Sequence, residues 1–102
     1  MPLQVTVTPR AEAQILAIEA WWRENRPSAP DLFVDELAEA FSTLSLIPLS
    51  GTPYDCPEPE GVRRLPLRLT RNHIYYVTTD ETLTILAVWG STRGRGPDLS
   101  GL

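Results

Sequence analysis

The sequence is poor in several residue types, and each shortage narrows what the chain can be. It contains no lysine, so all nine basic side chains are arginines. It contains one cysteine, Cys56, and one histidine, His73. A single cysteine cannot form an internal disulfide, and this pair cannot supply the ligands of a zinc site. We therefore expect a protein without a metal or another cofactor, in the reducing cytoplasm.

Long apolar runs are also missing. No run approaches the ~20 residues of a membrane span, and the N-terminal residues lack the basic start and apolar segment of a secretory signal. The 102 residues suffice for one domain with a modest core. We expect a single domain over residues 1–102 that does not associate with a membrane.

The formal net charge of −4 conceals an uneven distribution. Residues 1–60 contain three arginines against ten acidic residues, whereas residues 61–102 contain six arginines against three acidic residues. An arginine-rich half beside an acidic half indicates a surface for an anion or an acidic partner. The alternative is a solvated strand face that is merely rich in arginine.

The first half of the chain carries the patterns of a strand and two helices. Apolar and polar residues alternate over residues 3–8, as in a half-buried strand. Thr8 followed by Pro9 is typical of a helix start. The expected buried face of this first helix consists of residues spaced three or four apart: Ala11, Ile15, Ile18 and Trp22.

The second helix is expected to follow closely. A connection of only about three residues would make the two helices an antiparallel hairpin. Residues 28–31 resemble a capping box, and Pro48 closes the helix. Its buried stripe comprises Phe33, Leu37, Ala40, Phe41 and Leu44. The acidic residues expected to face solvent are Asp35, Glu36 and Glu39.

The second half predicts a loop and three strands. Residues 48–61 contain four prolines and two glycines, which is typical of a loop. Strand-like runs follow at residues 62–70, 74–78 and 83–89, and their short turns predict an antiparallel meander. Pro66 places the first of these strands at an edge or a bulge. The expected fold is α+β: an N-terminal strand, a helical hairpin over one sheet face, and a three-stranded meander.

Seven stretches carry a family resemblance: residues 5–11 (VTVTPRA), 18–22 (IEAWW), 33–37 (FVDEL), 47–54 (IPLSGTPY), 62–67 (VRRLPL), 74–77 (IYYV) and 85–90 (ILAVWG). The order, the spacing and the extent of these stretches resemble those of toxins of the RelE/ParE superfamily. The resemblance implies a growth-inhibiting toxin of a type II toxin–antitoxin pair, of the kind linked to plasmid stabilization. It also implies a hetero-oligomer with a cognate antitoxin, whose acidic C-terminal segment wraps and neutralises the toxin. ParE-like members poison DNA gyrase, whereas RelE-like members cleave mRNA in the ribosome.

The available side chains favour the gyrase activity. Metal-free RNA cleavage needs a proton acceptor, a group that stabilises phosphate charge and a proton donor, and arginine can serve only the second need. Family nucleases place His, Lys or Tyr near the C-terminal end, whereas residues 90–97 contain none. We expect His73 at an exposed hairpin corner, and Tyr75 and Tyr76 on opposite sheet faces. A ParE-like gyrase poison is predicted, and no catalytic residue is assigned. The alternatives are a RelE-like ribosome-dependent mRNA endoribonuclease and a member that binds its antitoxin but poisons nothing.

The predicted partner-binding residues are mostly arginines. Arg64 and Arg68 lie four apart on a strand and therefore point the same way. Arg93 and Arg95 lie in a glycine-rich tail that can fold over the same face. Guanidinium groups suit carboxylates of an antitoxin, an acidic target surface or phosphates. Trp21 either packs at the hairpin edge or anchors a partner.

Overall fold

The computed structural model describes residues 2–99. Within them the chain forms two helices and five strands. In chain order these are β1 (Gln4–Val7), α1 (Pro9–Asn25), α2 (Leu32–Leu46), β2 (Thr52–Pro53), β3 (Arg63–Leu67), β4 (Asn72–Thr78) and β5 (Thr82–Gly90). No helix in this part of the chain is long and apolar enough to cross a membrane.

The start of α1 follows the prediction, whereas the start of α2 does not. The Thr8 hydroxyl accepts a hydrogen bond from the backbone N–H of Ala11 at 3.1 Å, and Pro9 opens the helix. In α2, Asp31 occupies the cap position and its side chain makes no capping hydrogen bond. The predicted capping box is therefore wrong, because the chain needs all of residues 26–31, rather than about three, to connect the helices.

The sheet has the order β1-β5-β4-β3-β2. The predicted meander of β3, β4 and β5 is confirmed, since these neighbours pair antiparallel. β1 pairs parallel with β5, and β2 pairs with β3, so the sheet is mixed. The expectation that residues 48–61 form only a loop is wrong, because Thr52 and Pro53 add this short edge strand. The α+β class is confirmed.

β3 is shorter than predicted, and this changes the positions of two residues. It ends at Leu67, and Arg68 begins the turn to β4. Leu69 lies in that turn with 67% of its surface exposed, so the predicted extension of the strand to residue 70 is wrong. β2 pairs only with Arg63 and Arg64. Pro66 pairs with His73 of β4 and has no strand partner on its other side, which is an edge position where proline is tolerated.

Both faces of the sheet are covered. The helices and the inner face share a core whose fully buried members include Phe33, Leu44, Tyr76 and Ile85. On the outer face, a second apolar cluster contains Val62, Tyr75, Leu86, Ala87 and Leu99. Tyr75 and Tyr76 lie in different clusters, which confirms their predicted opposite orientation. The outer face is covered because the loop near residue 54 and the C-terminal tail pack against it.

A register shift in β5 keeps the two clusters apart. Tyr75 pairs with Ala87, but Tyr76 pairs with Ile85, so Leu86 is an additional residue in this strand. Leu86 and its neighbour Ala87 both belong to the outer cluster, whereas Ile85 and Val88 belong to the inner core. The bulge lets one continuous apolar run contribute to both faces.

Glu36 lies on a part of α2 that was expected to face solvent, but it is half-buried. Its carboxylate accepts hydrogen bonds from the backbone N–H of Leu69 at 2.7 Å, the N–H of Thr70 at 3.1 Å and the Thr70 hydroxyl at 2.6 Å. The prediction that Glu36 faces solvent is wrong, because its carboxylate is the hydrogen-bond acceptor for donors of the β3–β4 turn.

Candidate functional site

The outer face of the sheet carries two adjoining grooves. The first, of about 240 Å³, is lined by residues that include Arg64, Arg93 and Arg95. The second, of about 440 Å³, is lined by residues that include Arg64 and Arg68. The two grooves share Arg64 and His73. The fold therefore brings together the four arginines that the sequence singled out, although Arg68 lies in the turn beyond β3. We call these two spaces the outer grooves.

The C-terminal tail, residues 91–99, forms one wall of the first groove. The indole N–H of Trp89 donates to the carbonyl oxygen of Arg95 at 2.9 Å. The Arg10 guanidinium donates to the carbonyl oxygen of Asp98 at 2.7 Å, and Leu99 is buried in the outer cluster. Gly96 passes directly over the Tyr54 hydroxyl, so close that a Cβ atom there would overlap it. These contacts hold the tail against the sheet.

Aromatic rings support two of the arginines. The guanidinium carbon of Arg93 lies 4.0 Å from the ring centroid of Trp89, and that of Arg64 lies 5.4 Å from the centroid of Tyr54. A guanidinium group over an aromatic face is held by cation–π attraction while its N–H groups stay available at its edges. The grooves therefore present pre-positioned cations.

His73 is a strand residue rather than an exposed corner residue. It is half-buried in β4 and pairs with Pro66 and Trp89. The predicted position at a turn is wrong, because Arg71 closes the turn with a φ of 60° and β4 begins at Asn72. Burial, and then the charge of Arg64, lower the pKa of His73 below its ordinary value of 6.5. Its imidazole is therefore mainly neutral at pH 7.

The tyrosines beside His73 are poorly placed for proton transfer. Tyr75 has only 2% of its surface exposed. Burial raises the pKa of Tyr75, and the hydrogen bond and charge of Arg64 only partly oppose that rise. The hydroxyl of Tyr54 lies beneath Gly96. Among the groove-lining residues of the described chain, His73 is thus the one accessible group that can exchange a proton near neutral pH.

Trp21 lies in a separate groove of about 740 Å³, between the end of α1 and the β3–β4 turn. Trp21 is 49% exposed, and its ring meets that of Trp22 edge-on with a centroid distance of 5.7 Å. Arg26, Arg71 and Arg93 line the same space, and the guanidinium carbon of Arg26 lies 6.0 Å from the Trp21 centroid. We call this space the Trp21 groove; it meets the outer grooves at Arg93. Sequence reasoning missed Arg26 and Arg71, because no periodic pattern relates a helix end to a distant turn.

Within residues 2–99, no three His, Cys, Asp or Glu side chains are grouped so that they could hold a metal ion. The groove side chains with distinctive chemistry are guanidinium groups, aromatic rings and one imidazole. They can bind carboxylates or phosphates by charge-assisted hydrogen bonds.

Comparison with known proteins identifies the family. The sequence model of the family described as ParE toxin of the type II toxin–antitoxin system, parDE, matches residues 5–94. The chain belongs to the ParE toxin family. It is a ParE-type toxin of a ParDE toxin–antitoxin system, and the predicted resemblance to RelE/ParE toxins is confirmed.

A solved structure supports the same fold. It is titled as the chromosomal ParDE toxin–antitoxin system from P. aeruginosa, and it aligns with a TM-score of 0.68 over 86% of this ParE-family chain and 95% of the solved chain. The sequence identity is 20%, so this likeness shows the fold alone. A comparison with curated proteins gives no significant match.

Proposed function

We propose that this ParE-type toxin poisons DNA gyrase and that a cognate antitoxin neutralises it by binding the outer grooves. Membership of the ParE family supports the target, since the resemblance to ParE-like toxins implies gyrase. The four arginines of the outer grooves support the antitoxin contact, because they suit an acidic polypeptide segment. Gyrase acts in the bacterial cytoplasm, so the proposal includes a cytoplasmic location.

Few groups in the grooves can transfer a proton, and this observation favours a binding protein over an enzyme. A guanidinium stays protonated at working pH and cannot act as a general base or acid. Tyr75 is buried with a raised pKa, which leaves His73 alone. Cleavage of RNA without a metal needs both an acceptor and a donor of protons. The grooves are thus better suited to binding than to turnover.

A ribosome-dependent ribonuclease is the second candidate, and the pair formed by His73 and Arg64 favours it. The lowered pKa of His73 keeps its imidazole able to accept a proton at neutral pH. Arg64, which contributes to that lowering, could stabilise the developing charge on a phosphate. His73 and Arg64 would thus provide the proton acceptor and the stabilisation of phosphate charge. The grooves lack an evident proton donor for the leaving oxygen.

The two candidates separate in a paired assay of the purified toxin. Gyrase supercoiling and the accumulation of cleaved DNA are measured in one reaction, and the integrity of mRNA on programmed ribosomes is measured in the other. We expect inhibition of gyrase, or trapped DNA breaks, with intact mRNA. Cuts in ribosome-bound mRNA at enzyme-like turnover, with no effect on gyrase, would reject the gyrase proposal.

His73→Gln sharpens the result. A gyrase poison should keep nearly all of its activity in this variant, because binding does not need the imidazole to accept a proton. A ribonuclease that uses His73 should lose about 10²–10⁴-fold of its rate. Melting curves of the variant show whether it is folded before either activity is compared.

A further inference from the structure

The Trp21 groove and the outer grooves adjoin one another at shared arginines, and we call the three spaces together the track. Arg93 lines both the Trp21 groove and the first outer groove, and Arg64 lines both outer grooves. Six of the nine arginines lie along this track: Arg26, Arg64, Arg68, Arg71, Arg93 and Arg95. No aspartate or glutamate of the described chain lines any part of it. In a chain with a net charge of −4, this is a concentrated region of positive charge.

The arginines outside the track have partners within the chain. Arg23 pairs with Glu19 at 2.8 Å, Arg63 donates to the carbonyl oxygen of Gly51 at 2.6 Å, and Arg10 donates to that of Asp98. The contact between Arg23 and Glu19 is an ion pair on the surface of α1. The six track arginines have no carboxylate partner in this part of the molecule, and their charge is available to a ligand.

The track also carries every arginine–aromatic contact of the described chain. Arg26 faces Trp21, Arg64 faces Tyr54 and Arg93 faces Trp89. The carboxylates of an acidic peptide would bind the cations, but they would not stack on the half-exposed indole of Trp21. A polyanion with flat rings uses both features, because phosphates bind the guanidinium groups and bases stack on aromatic side chains.

We propose that this track binds single-stranded DNA, with phosphates on the arginines and an unpaired base on Trp21. The choice of DNA rests on the proposed function, since DNA is the substrate of gyrase. An acidic antitoxin segment bound to the outer grooves would cover Arg64, Arg93 and Arg95. It would therefore compete with the DNA strand for the same cations.

The test is the fluorescence anisotropy of a labelled single strand of about 16 nucleotides, titrated with the full chain between about 50 and 200 mM salt. With about four phosphate contacts, the slope of log K against log salt should be near −3, since each contact contributes about −0.7. Arg93→Gln should weaken binding about fivefold or more and make the slope shallower by about 0.7.

Two further variants separate charge from stacking. Arg23→Gln makes the same charge change outside the track and should leave affinity unchanged. Trp21→Ala should weaken binding on the order of tenfold, because stacking on an aromatic side chain contributes through the base rather than the phosphate. The salt slope of Trp21→Ala should stay that of the wild type. Melting curves confirm that each variant is folded.

Three results would overturn the proposal. The first is no binding of the strand by the wild-type chain at low salt, and the second is a loss of affinity in Arg23→Gln as large as that in Arg93→Gln. The third is binding of a duplex or an RNA of the same sequence more than tenfold tighter than the single strand. Gyrase assays on the same proteins keep the two proposals distinct. If the toxin poisons gyrase but does not bind the strand, DNA binding by the track is rejected and the proposed target stands. If the toxin binds the strand with the expected variant effects but does not affect gyrase, the proposed target is rejected and DNA binding by the track stands.

Discussion

At the scale of single residues, His73 shows how the local environment sets a charge. Burial is the larger cause of its lowered pKa, and the positive charge of Arg64 acts in the same direction. Both effects disfavour the imidazolium form in the folded protein. The unfolded chain lacks both, so its histidine titrates near the ordinary value.

The first prediction concerns this titration. Because His73 is the one histidine of the chain, its imidazole proton resonance in an NMR titration reports one group. We expect a folded-state pKa below 6.5, and Arg64→Gln should raise it towards that value. Between the folded and unfolded pKa values the unfolded state binds more protons, so the free energy of unfolding falls as the pH drops through this window.

His73→Gln provides the control, since it should remove this part of the pH dependence while the carboxylates continue to titrate. An apparent pKa at or above 6.5 in the folded wild type would contradict the position of His73 beside Arg64.

At the scale of elements, the β3–β4 turn depends on a helix that is distant in sequence. Glu36 of α2 accepts three hydrogen bonds from Leu69 and Thr70. The turn itself needs a left-handed residue, Arg71, at a φ of 60°, which is unfavourable for a side chain with a Cβ atom. The helix carboxylate therefore compensates for an unfavourable turn conformation.

The second prediction follows from this contact. Glu36→Ala should lower the free energy of unfolding by roughly 2 kcal/mol, because it leaves donors of the turn without their charged acceptor. Glu39→Ala, on the exposed side of the same helix, is the matched control and should change stability little. Chemical denaturation of both variants makes the comparison. Equal stability of the two variants would mean that water accepts the hydrogen bonds of the turn as well as the Glu36 carboxylate does.

The C-terminal tail supplies the third prediction. Gly96→Ala places a methyl group against the Tyr54 hydroxyl, whereas Gly94→Ala meets no atom within 4 Å. We expect Gly96→Ala to loosen the tail and to cost about 1–3 kcal/mol, as overpacking does. Gly94→Ala should be nearly neutral.

Hydrogen exchange is the direct measurement of this effect. The amides of residues 91–99 should exchange faster in Gly96→Ala, and those of β4 should be little changed. If the two alanine variants exchange alike, the tail does not depend on the close approach of Gly96 to Tyr54.

At the scale of the whole molecule, the uneven charge becomes a surface property. The fold collects six arginines along the Trp21 groove and the outer grooves, and none of the lining residues in the described chain is acidic. Such a region attracts an acidic partner over a distance that salt shortens. Antitoxin binding through these arginines should therefore weaken as salt rises.

The fourth prediction tests this interface. Replacing Arg64 and Arg68 together with Gln should weaken antitoxin binding at least about tenfold, equivalent to ~1.4 kcal/mol. It should barely change the melting temperature, because Arg68 is exposed and Arg64 is only half-buried. Arg23→Gln should bind as the wild type does. Titration calorimetry at low and high salt provides the affinities.

Unchanged affinity in the folded double variant, together with weak salt dependence, would indicate a different interface. An apolar contact centred on Trp21 would behave in that way, and Trp21→Ala would then produce the larger loss.

Much of the fold follows from local patterns. The spacing of Ala11, Ile15, Ile18 and Trp22 specifies one face of α1, and Thr8–Pro9 specifies its start. Three alternating runs with short turns specify the meander of β3, β4 and β5. These features are readable because helix and strand periodicity act over a few neighbouring residues. The family resemblance depends on the same segments.

The sequence by itself thus determined the α+β class, the meander, both helices and the ParE-type family. Only the tertiary structure decided the parallel pairing of β1 with β5, the strand β2, the cap that Glu36 places on a turn, and the joining of the Trp21 groove to the outer grooves at Arg93. Each of these depends on residues far apart in the chain, whose proximity follows from burying both faces of the sheet. No local pattern encodes that proximity, which is why the sequence indicated the arginines of the outer grooves but not the shape of the grooves.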